Sequence, residues 1–183
     1  MDRGGSVTYH GPGQLVVYPV VRIAPPDDLS TWVRSTERAI MAAVAELGVS
    51  TVQIAGRSGV WVPGTPDRKL CAIGMKFRQH TSMHGLALNV TTDLDRFSRI
   101  VPCGITDAGV VSLADLGINV TMTEVARHLT SHLEAAYAPF AARPSTSTNA
   151  TEAEIDALLG AEGPGDEAGR RPATTNHFLS PAR

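Results

Sequence analysis

Four apolar, β-branched runs that alternate with clusters of Gly, Pro and Asp constrain the fold of this chain most strongly. They are TVQIA (51–55), GVWV (59–62), KLCAIGMKF (69–77) and HGLALNV (84–90). Runs of this length with turn-forming residues between them are typical of β-strands. Because the connections are short, we predict a mostly antiparallel sheet over this part of the chain.

The segment before these runs has the same character. SVTYH (6–10) is followed by the turn sequence GPG and then by LVVYPVV (15–21). This order predicts a strand, a turn and a second strand.

Two longer segments have helical periodicity. From Asp27 to Gly48 the apolar residues recur at helical spacing, with acidic residues or Ser at the start and Gly at the end. From 121 to 140 a second helix is predicted, because Thr121 and Glu124 have the spacing of a capping box. Together with the strands, these helices predict an α/β (α+β) fold with a mixed central sheet flanked by helices.

The composition changes after about Pro144. Residues 144–183 are dominated by Pro, Gly, Ser, Thr and charges, and only EIDALL could form a helical turn. Such a segment cannot bury enough apolar surface to order itself. We therefore expect one folded domain over 1–143 and a mostly disordered tail over 144–183.

Composition and charge narrow the classes of function. The net charge is −2 and no dense Lys/Arg run occurs, which argues against a general nucleic-acid or membrane-surface binder. No apolar run approaches the length of a membrane span, and a cytoplasmic protein is expected. Two cysteines, Cys71 and Cys103, are too few for a disulfide framework, so reduced thiols are expected. No metal or nucleotide signature is present, and no cofactor is predicted.

The basic residues are almost all arginines. Of 16 Lys and Arg residues only two are lysines, Lys69 and Lys76. An amine can lose its proton when it is buried, whereas a guanidinium cannot. A lysine in this background is therefore a candidate for proton chemistry.

Five motifs together resemble the lipoyl(octanoyl) transferases, over Asp2 to about Leu113 and in that family's order. The motifs are RGGSVTYHGPGQLVVYP, GRSGVWV, RKLCAIG, HGLALNV and VPCGITDAGVVSL. The resemblance implies a fold similar to that of the biotin and lipoate protein ligases. It also implies an enzyme that moves an octanoyl group from octanoyl acyl carrier protein to a lysine of a lipoyl domain, through a thioester on the enzyme. The acceptors it implies are the lipoyl domains of 2-oxoacid dehydrogenase complexes and the glycine cleavage H protein.

The resemblance also assigns residues. It implies that Cys103 of the PCGI motif is the nucleophile and that Lys69 is its partner. Acyl-binding positions implied by the family are Arg3, Gly4, Gly5, Ser6, Val7, Thr8, Tyr9, His10, Ala72, Ile73, Gly74, Gly85, Leu86 and Ala87.

Two features depart from the family. Its members carry strands and a His-Pro segment before the RGG motif, where this chain has its first methionine. Either the start is assigned too late or the protein is truncated, and a sheet without those elements is expected to have an exposed edge and an incomplete acyl tunnel. Position 111 is Val where the family more often has Thr.

The residues themselves support this chemistry. A thiol with an ordinary pKa of about 8.5 is only a few per cent thiolate at neutral pH, and a nearby cation such as Lys69 would increase that share. A neutral Lys69 could also accept a proton from the attacking amine. Pro102 and Gly104 place Cys103 in a tight turn, whereas Cys71 is expected in the core. His10 is a better site candidate than His84, and Asp107 is expected to cap a helix.

Two alternatives remain open from the sequence. A ligase related to the lipoate and biotin ligases would activate a free acid with ATP and would not need a cysteine nucleophile. A folded remnant could instead bind an acyl chain or a lipoyl domain without turnover.

Overall fold

The computed structural model describes residues 9–99 and 108–142. In chain order the strands and helices are β1 (Gln14–Val17), α1 (Leu29–Ala45), β2 (Val52–Ile54), β3 (Arg57–Val62), β4 (Arg68–Arg78), β5 (Thr81–Asn89), β6 (Gly109–Val110) and α2 (Met122–Tyr137). Short 3-10 turns occupy Leu94–Arg99 and Ala114–Leu116. No helix within the described ranges is both long and apolar enough to cross a bilayer.

The strands of the described residues form one sheet in the order β1-β5-β4-β3-β2, and every neighbouring pair in this order is antiparallel. The long β4–β5 hairpin turns at Gln79 and His80, whose φ angles of 49° and 57° suit the right-handed twist of a two-residue hairpin. The short β6 adds to β4 in parallel, with Lys69 opposite Val110. The predicted mixed, mostly antiparallel sheet is confirmed.

Both helices pack on one face of this sheet. Trp32 of α1 is fully buried and stacks on Tyr137 of α2, with 3.9 Å between the ring centroids. Phe77 of β4 meets the same indole edge-on at 5.8 Å. These contacts join the two helices and the sheet in a single core.

A buried carboxylate ties α1 to the sheet. Glu37 is fully buried, and its Oε2 accepts hydrogen bonds from Arg34 at 2.7 Å and Gln53 at 2.8 Å. Its Oε1 accepts the backbone N–H of Gly59 at 2.8 Å. Because both oxygens are occupied, the charge is compensated inside the core.

The helix predictions are confirmed with shorter bounds. Asp28 caps α1 by accepting the N–H of Ser30, and the predicted capping box of Thr121 and Glu124 is present at α2. The run 15–21 is strand only as far as Val17, where β1 ends. Of the predicted strand 6–10, only Tyr9 and His10 are described, and they are not in a strand. The predicted tail, 144–183, lies outside the described residues.

Candidate active site

A β-bulge sets the side of the sheet on which Lys69 lies. Val60 pairs with Cys71 and Trp61 pairs with Lys69, so Leu70 is an extra residue in β4. Antiparallel partners point to the same face, and an extra residue shifts the alternation by one position. Val60 and Cys71 both belong to the core beneath the helices, whereas Trp61 does not. Lys69 therefore lies with Trp61 on the face away from the helices.

The side chain of Lys69 lies against β3. Its Nζ is 4.6 Å from the centroid of the Trp61 ring, within the range of a cation–π interaction. Trp61 is only 1% exposed, and the guanidinium of Arg57 lies 5.9 Å from the same ring centroid. The indole thus holds the amine within a partly desolvated environment.

Gly59 provides the space beside Lys69. Its φ is +119°, and a Cβ atom at this position would lie 2.6 Å from the carbonyl oxygen of Cys71 and 3.4 Å from Lys69 Cε. Its N–H is the donor to Glu37 described above. No side chain larger than hydrogen fits there without moving the backbone.

Two of the predicted acyl-binding segments are direct neighbours. Residues 72–74 of β4 and 85–87 of β5 pair in register, with Ala72 opposite Ala87 and Gly74 opposite Gly85. Ile73 and Leu86 also pair, but their side chains pack in the core on the helix side. Since side chains alternate along a strand, the other two pairs lie on the opposite face. We call Ala72, Gly74, Gly85 and Ala87 the small-residue face.

The two glycines of the small-residue face differ in their surroundings. Among the residues that the structure describes, a Cβ atom at Gly74 would meet nothing within 4 Å. At Gly85 the same atom would overlap the carbonyl oxygen of Val17. Gly85 therefore lets the β1 backbone approach, whereas no described residue lies against Gly74 on this face.

The two candidate histidines have different environments. Nδ1 of His10 lies 2.8 Å from Oε1 of Gln14, whose amide nitrogen donates to Oδ1 of Asn89 at 2.9 Å. His84 has a φ of 63°, and its buried Nε2 has no hydrogen-bond partner in the described part of the chain. Of the two histidines, only His10 has such a contact, and its hydrogen bonds continue across the sheet from Gln14 of β1 to Asn89 of β5.

The cysteines are distinguished by burial. Cys71 is fully buried, and desolvation raises the pKa of its thiol, which leaves it without thiolate character. Its predicted place in the core is confirmed. Cys103 lies outside the described residues, as do Arg3, Gly4, Gly5, Ser6, Val7, Thr8 and Asp107.

Residues 109–111, which follow the PCGI motif in the sequence, lie beside the start of β4 at Lys69. The Gly109 N–H donates to the Asp67 carbonyl at 2.9 Å, and the Val111 N–H donates to the Lys69 carbonyl at 3.1 Å. Strand β6 therefore begins six residues after Cys103, next to the start of β4. Within the described ranges, no group of three or more His, Cys, Asp or Glu residues is arranged to hold a metal ion.

Four contributors to this site were missed from the sequence: Gln14, Gly59, Trp61 and Asn89. A detectable signal existed for Gln14 and Asn89, because each is a polar residue at the end of an apolar run, LVV (15–17) and LAL (86–88). The roles of Trp61 and Gly59 depend on the bulge, which the sequence pattern does not show.

The family model of the lipoyl protein ligase A/B catalytic domain matches residues 1–134. The chain belongs to this family. Within it, the chain is 55% identical over 128 residues to an octanoyltransferase of Acidothermus cellulolyticus, covering 68% of this chain and 58% of the relative. It is 53% identical over 128 residues to an octanoyltransferase of Mycobacterium leprae, covering 68% of this chain and 54% of the relative. The chain thus spans little more than half the length of these curated relatives.

Solved structures with low sequence identity share the fold. A bipartite lipoate protein ligase from Thermoplasma acidophilum matches with a TM-score of 0.63 at 20% identity, covering 87% of this chain and 65% of that one. A biotin protein ligase from Aquifex aeolicus matches with a TM-score of 0.53 at 14% identity, covering 69% of this chain and 53% of that one. The resemblance to the biotin and lipoate ligase fold is confirmed.

Gly59→Ala tests the packing that surrounds the Lys69 stem in this lipoyl ligase family member. We expect a loss of about 2–4 kcal/mol in the free energy of unfolding, because the new Cβ meets the Cys71 carbonyl and the backbone has a positive φ. Gly56→Ala is the matched control, since Gly56 also has a positive φ, +76°, but has nothing within 4 Å of the added atom. We expect about 1 kcal/mol there. Equal losses in urea unfolding would contradict the close packing at Gly59.

Proposed function

We propose that this chain is an octanoyltransferase that passes an octanoyl group through a Cys103 thioester to a lysine of a lipoyl domain. The observation that carries the proposal is that Lys69 lies on the same side of the sheet as Ala72, Gly74, Gly85 and Ala87, the small-residue face. An amine on the same face as a row of small side chains suits acyl transfer, and the curated relatives are named octanoyltransferases.

The first half-reaction is a thioester exchange. The Cys103 thiolate attacks the carbonyl carbon of the octanoyl thioester on acyl carrier protein. The C–S bond to the carrier breaks, and the carrier sulfur leaves as a thiol after taking a proton from Lys69, which becomes neutral. One thioester replaces another, so the step is close to isoenergetic. The positive charge of Lys69 favours the thiolate form of the nucleophile.

The second half-reaction forms an amide. The amine of a lipoyl-domain lysine attacks the Cys103 thioester, the C–N bond forms and the C–S bond breaks. The attacking nitrogen must lose a proton, and neutral Lys69 accepts it. Once protonated, Lys69 regains its cation–π contact with Trp61, which keeps the amine near the ring for the next cycle.

The octanoyl chain needs an apolar surface that has room for it. We propose that it lies along the small-residue face, where Ala72 and Gly74 leave space and Ile73 and Leu86 supply backbone only. Burial of its methylenes at about 0.8 kcal/mol each provides binding without polar contacts. The substrates proposed are octanoyl acyl carrier protein as donor and the lipoyl domains of 2-oxoacid dehydrogenases and glycine cleavage H protein as acceptors.

The domain that performs this reaction is proposed to be 1–143, and residues 144–183 are not part of the proposed site. A reducing compartment, the cytoplasm, suits an enzyme whose nucleophile is a free thiol.

Cys103→Ser is expected to lower transfer from octanoyl acyl carrier protein to a lipoyl domain by at least about 100-fold, because a hydroxyl is a far weaker nucleophile than a thiolate. Formation of the octanoylated domain is followed by mass spectrometry. Cys71→Ala is the control, since it removes a buried thiol and should lower stability while transfer continues. Wild-type transfer by Cys103→Ser would remove this cysteine from the reaction.

Lys69→Arg separates the two roles of the lysine. Arginine keeps the positive charge but cannot accept a proton, so transfer to the lipoyl domain should fall by about 100-fold or more. Alkylation of the Cys103 thiol by iodoacetamide depends on the thiolate share and should change much less. Lys76→Arg, at the only other lysine, should alter neither rate. An equal loss of transfer and alkylation would mean that Lys69 acts through its charge alone.

A further inference from the structure

A continuous chain of hydrogen bonds joins the backbone of Lys69 to the imidazole of His10. The Lys69 carbonyl accepts the Val111 N–H at 3.1 Å, and the Val111 carbonyl accepts Nδ2 of Asn89 at 3.1 Å. Oδ1 of Asn89 accepts Nε2 of Gln14 at 2.9 Å, and Oε1 of Gln14 lies 2.8 Å from Nδ1 of His10.

The direction of this chain follows from its middle link. A backbone carbonyl can only accept, so the Asn89 amide must turn its nitrogen toward Val111 and its oxygen toward Gln14. Gln14 must then donate with its nitrogen and present its oxygen to His10. An oxygen acceptor requires a donor, and Nδ1 of His10 can donate only when it carries the proton.

Burial fixes both amides in this orientation. Gln14 is 1% exposed and Asn89 is 4% exposed. A flipped amide would place like groups against each other with no water to compensate, which is costly in a buried network. Strand pairing also holds the two amides next to each other, because Gln14 and Asn89 are direct partners in the β1–β5 register.

We propose that Gln14 and Asn89 are positioning residues that hold neutral His10 as its Nδ1–H tautomer, with Nε2 as a hydrogen-bond acceptor. His10 in this form has no N–H to offer an acyl carbonyl oxygen. It suits instead an N–H donor, and on the proposed function that donor is the amine of the lipoyl-domain lysine. The same series of hydrogen bonds fixes the distance between His10 and the backbone of Lys69.

The tautomer is measured directly by long-range ¹H–¹⁵N correlation spectra of the full ¹⁵N-histidine-labelled chain at about pH 8.5, where an ordinary imidazole is neutral. The chain has six histidines, and the signals of His10 are those that disappear in His10→Asn. We expect a protonated Nδ1 and an unprotonated Nε2. Gln14→Met and Asn89→Leu should each shift the tautomer ratio toward Nε2–H by about fivefold, the effect of one net hydrogen bond.

Gln53→Met is the matched control. Its amide donates to Arg34 and Glu37, not to this chain, so the variant should leave the His10 ratio unchanged. A wild-type His10 that is mainly Nε2–H would overturn the proposal without any variant, as would an unchanged ratio in both Gln14→Met and Asn89→Leu. The spectra require no substrate. Failure of octanoyl transfer would therefore contradict the proposed function alone.

Discussion

The candidate site depends on the pairing of β4 with β3 on one side and with β5 on the other. The extra residue at Leu70, in the pairing of β4 with β3, determines the face of the sheet on which Lys69 lies. Without this bulge Lys69 would continue the alternation of Cys71 and Ile73 and point into the core beneath α1. A charged amine there would have to lose its hydration without compensation. With the bulge, the amine lies over Trp61, and Leu70 and Cys71 both fill the core.

The two faces of the sheet therefore have separate tasks. The helix side holds Trp32, Tyr137 and the other large apolar side chains, which supply the burial that stabilises the fold. The other side has the small-residue face where β4 and β5 pair. The hydrogen bonds that join His10, Gln14 and Asn89 lie at one end of these strands. An acyl group needs an apolar surface that is not already filled, and among the described residues nothing lies within 4 Å of a Cβ atom placed at Gly74 on the second face.

Much of the fold followed from periodicity and turn chemistry. The helices were predictable because Asp28 and Thr121 are good caps before amphipathic runs, and the β4–β5 hairpin because two long β-type runs meet at a short polar turn. Strand β6 has two residues and depends on pairing with Arg68 and Lys69, so no local signal marks it. The bulge is likewise a property of strand register, which one strand's sequence does not contain.

The chemistry was less predictable than the fold. Lys69 stood out because the chain uses arginine almost everywhere else, but its contact with Trp61 required the sheet. Cys103 was assigned through the resemblance to the octanoyltransferases, since a cysteine between Pro and Gly has no reactivity that its neighbours reveal. The polar link between Gln14 and Asn89 joins residues 75 positions apart and needed the β1–β5 register.

The most direct measurement is the intact mass of this chain after incubation with octanoyl acyl carrier protein in the absence of ATP. We predict a gain of one octanoyl group, which hydroxylamine releases and which peptide mapping locates at Cys103. No adduct without ATP, together with octanoylation of a lipoyl domain from free octanoate and ATP, would contradict it and assign the chain to the ligases.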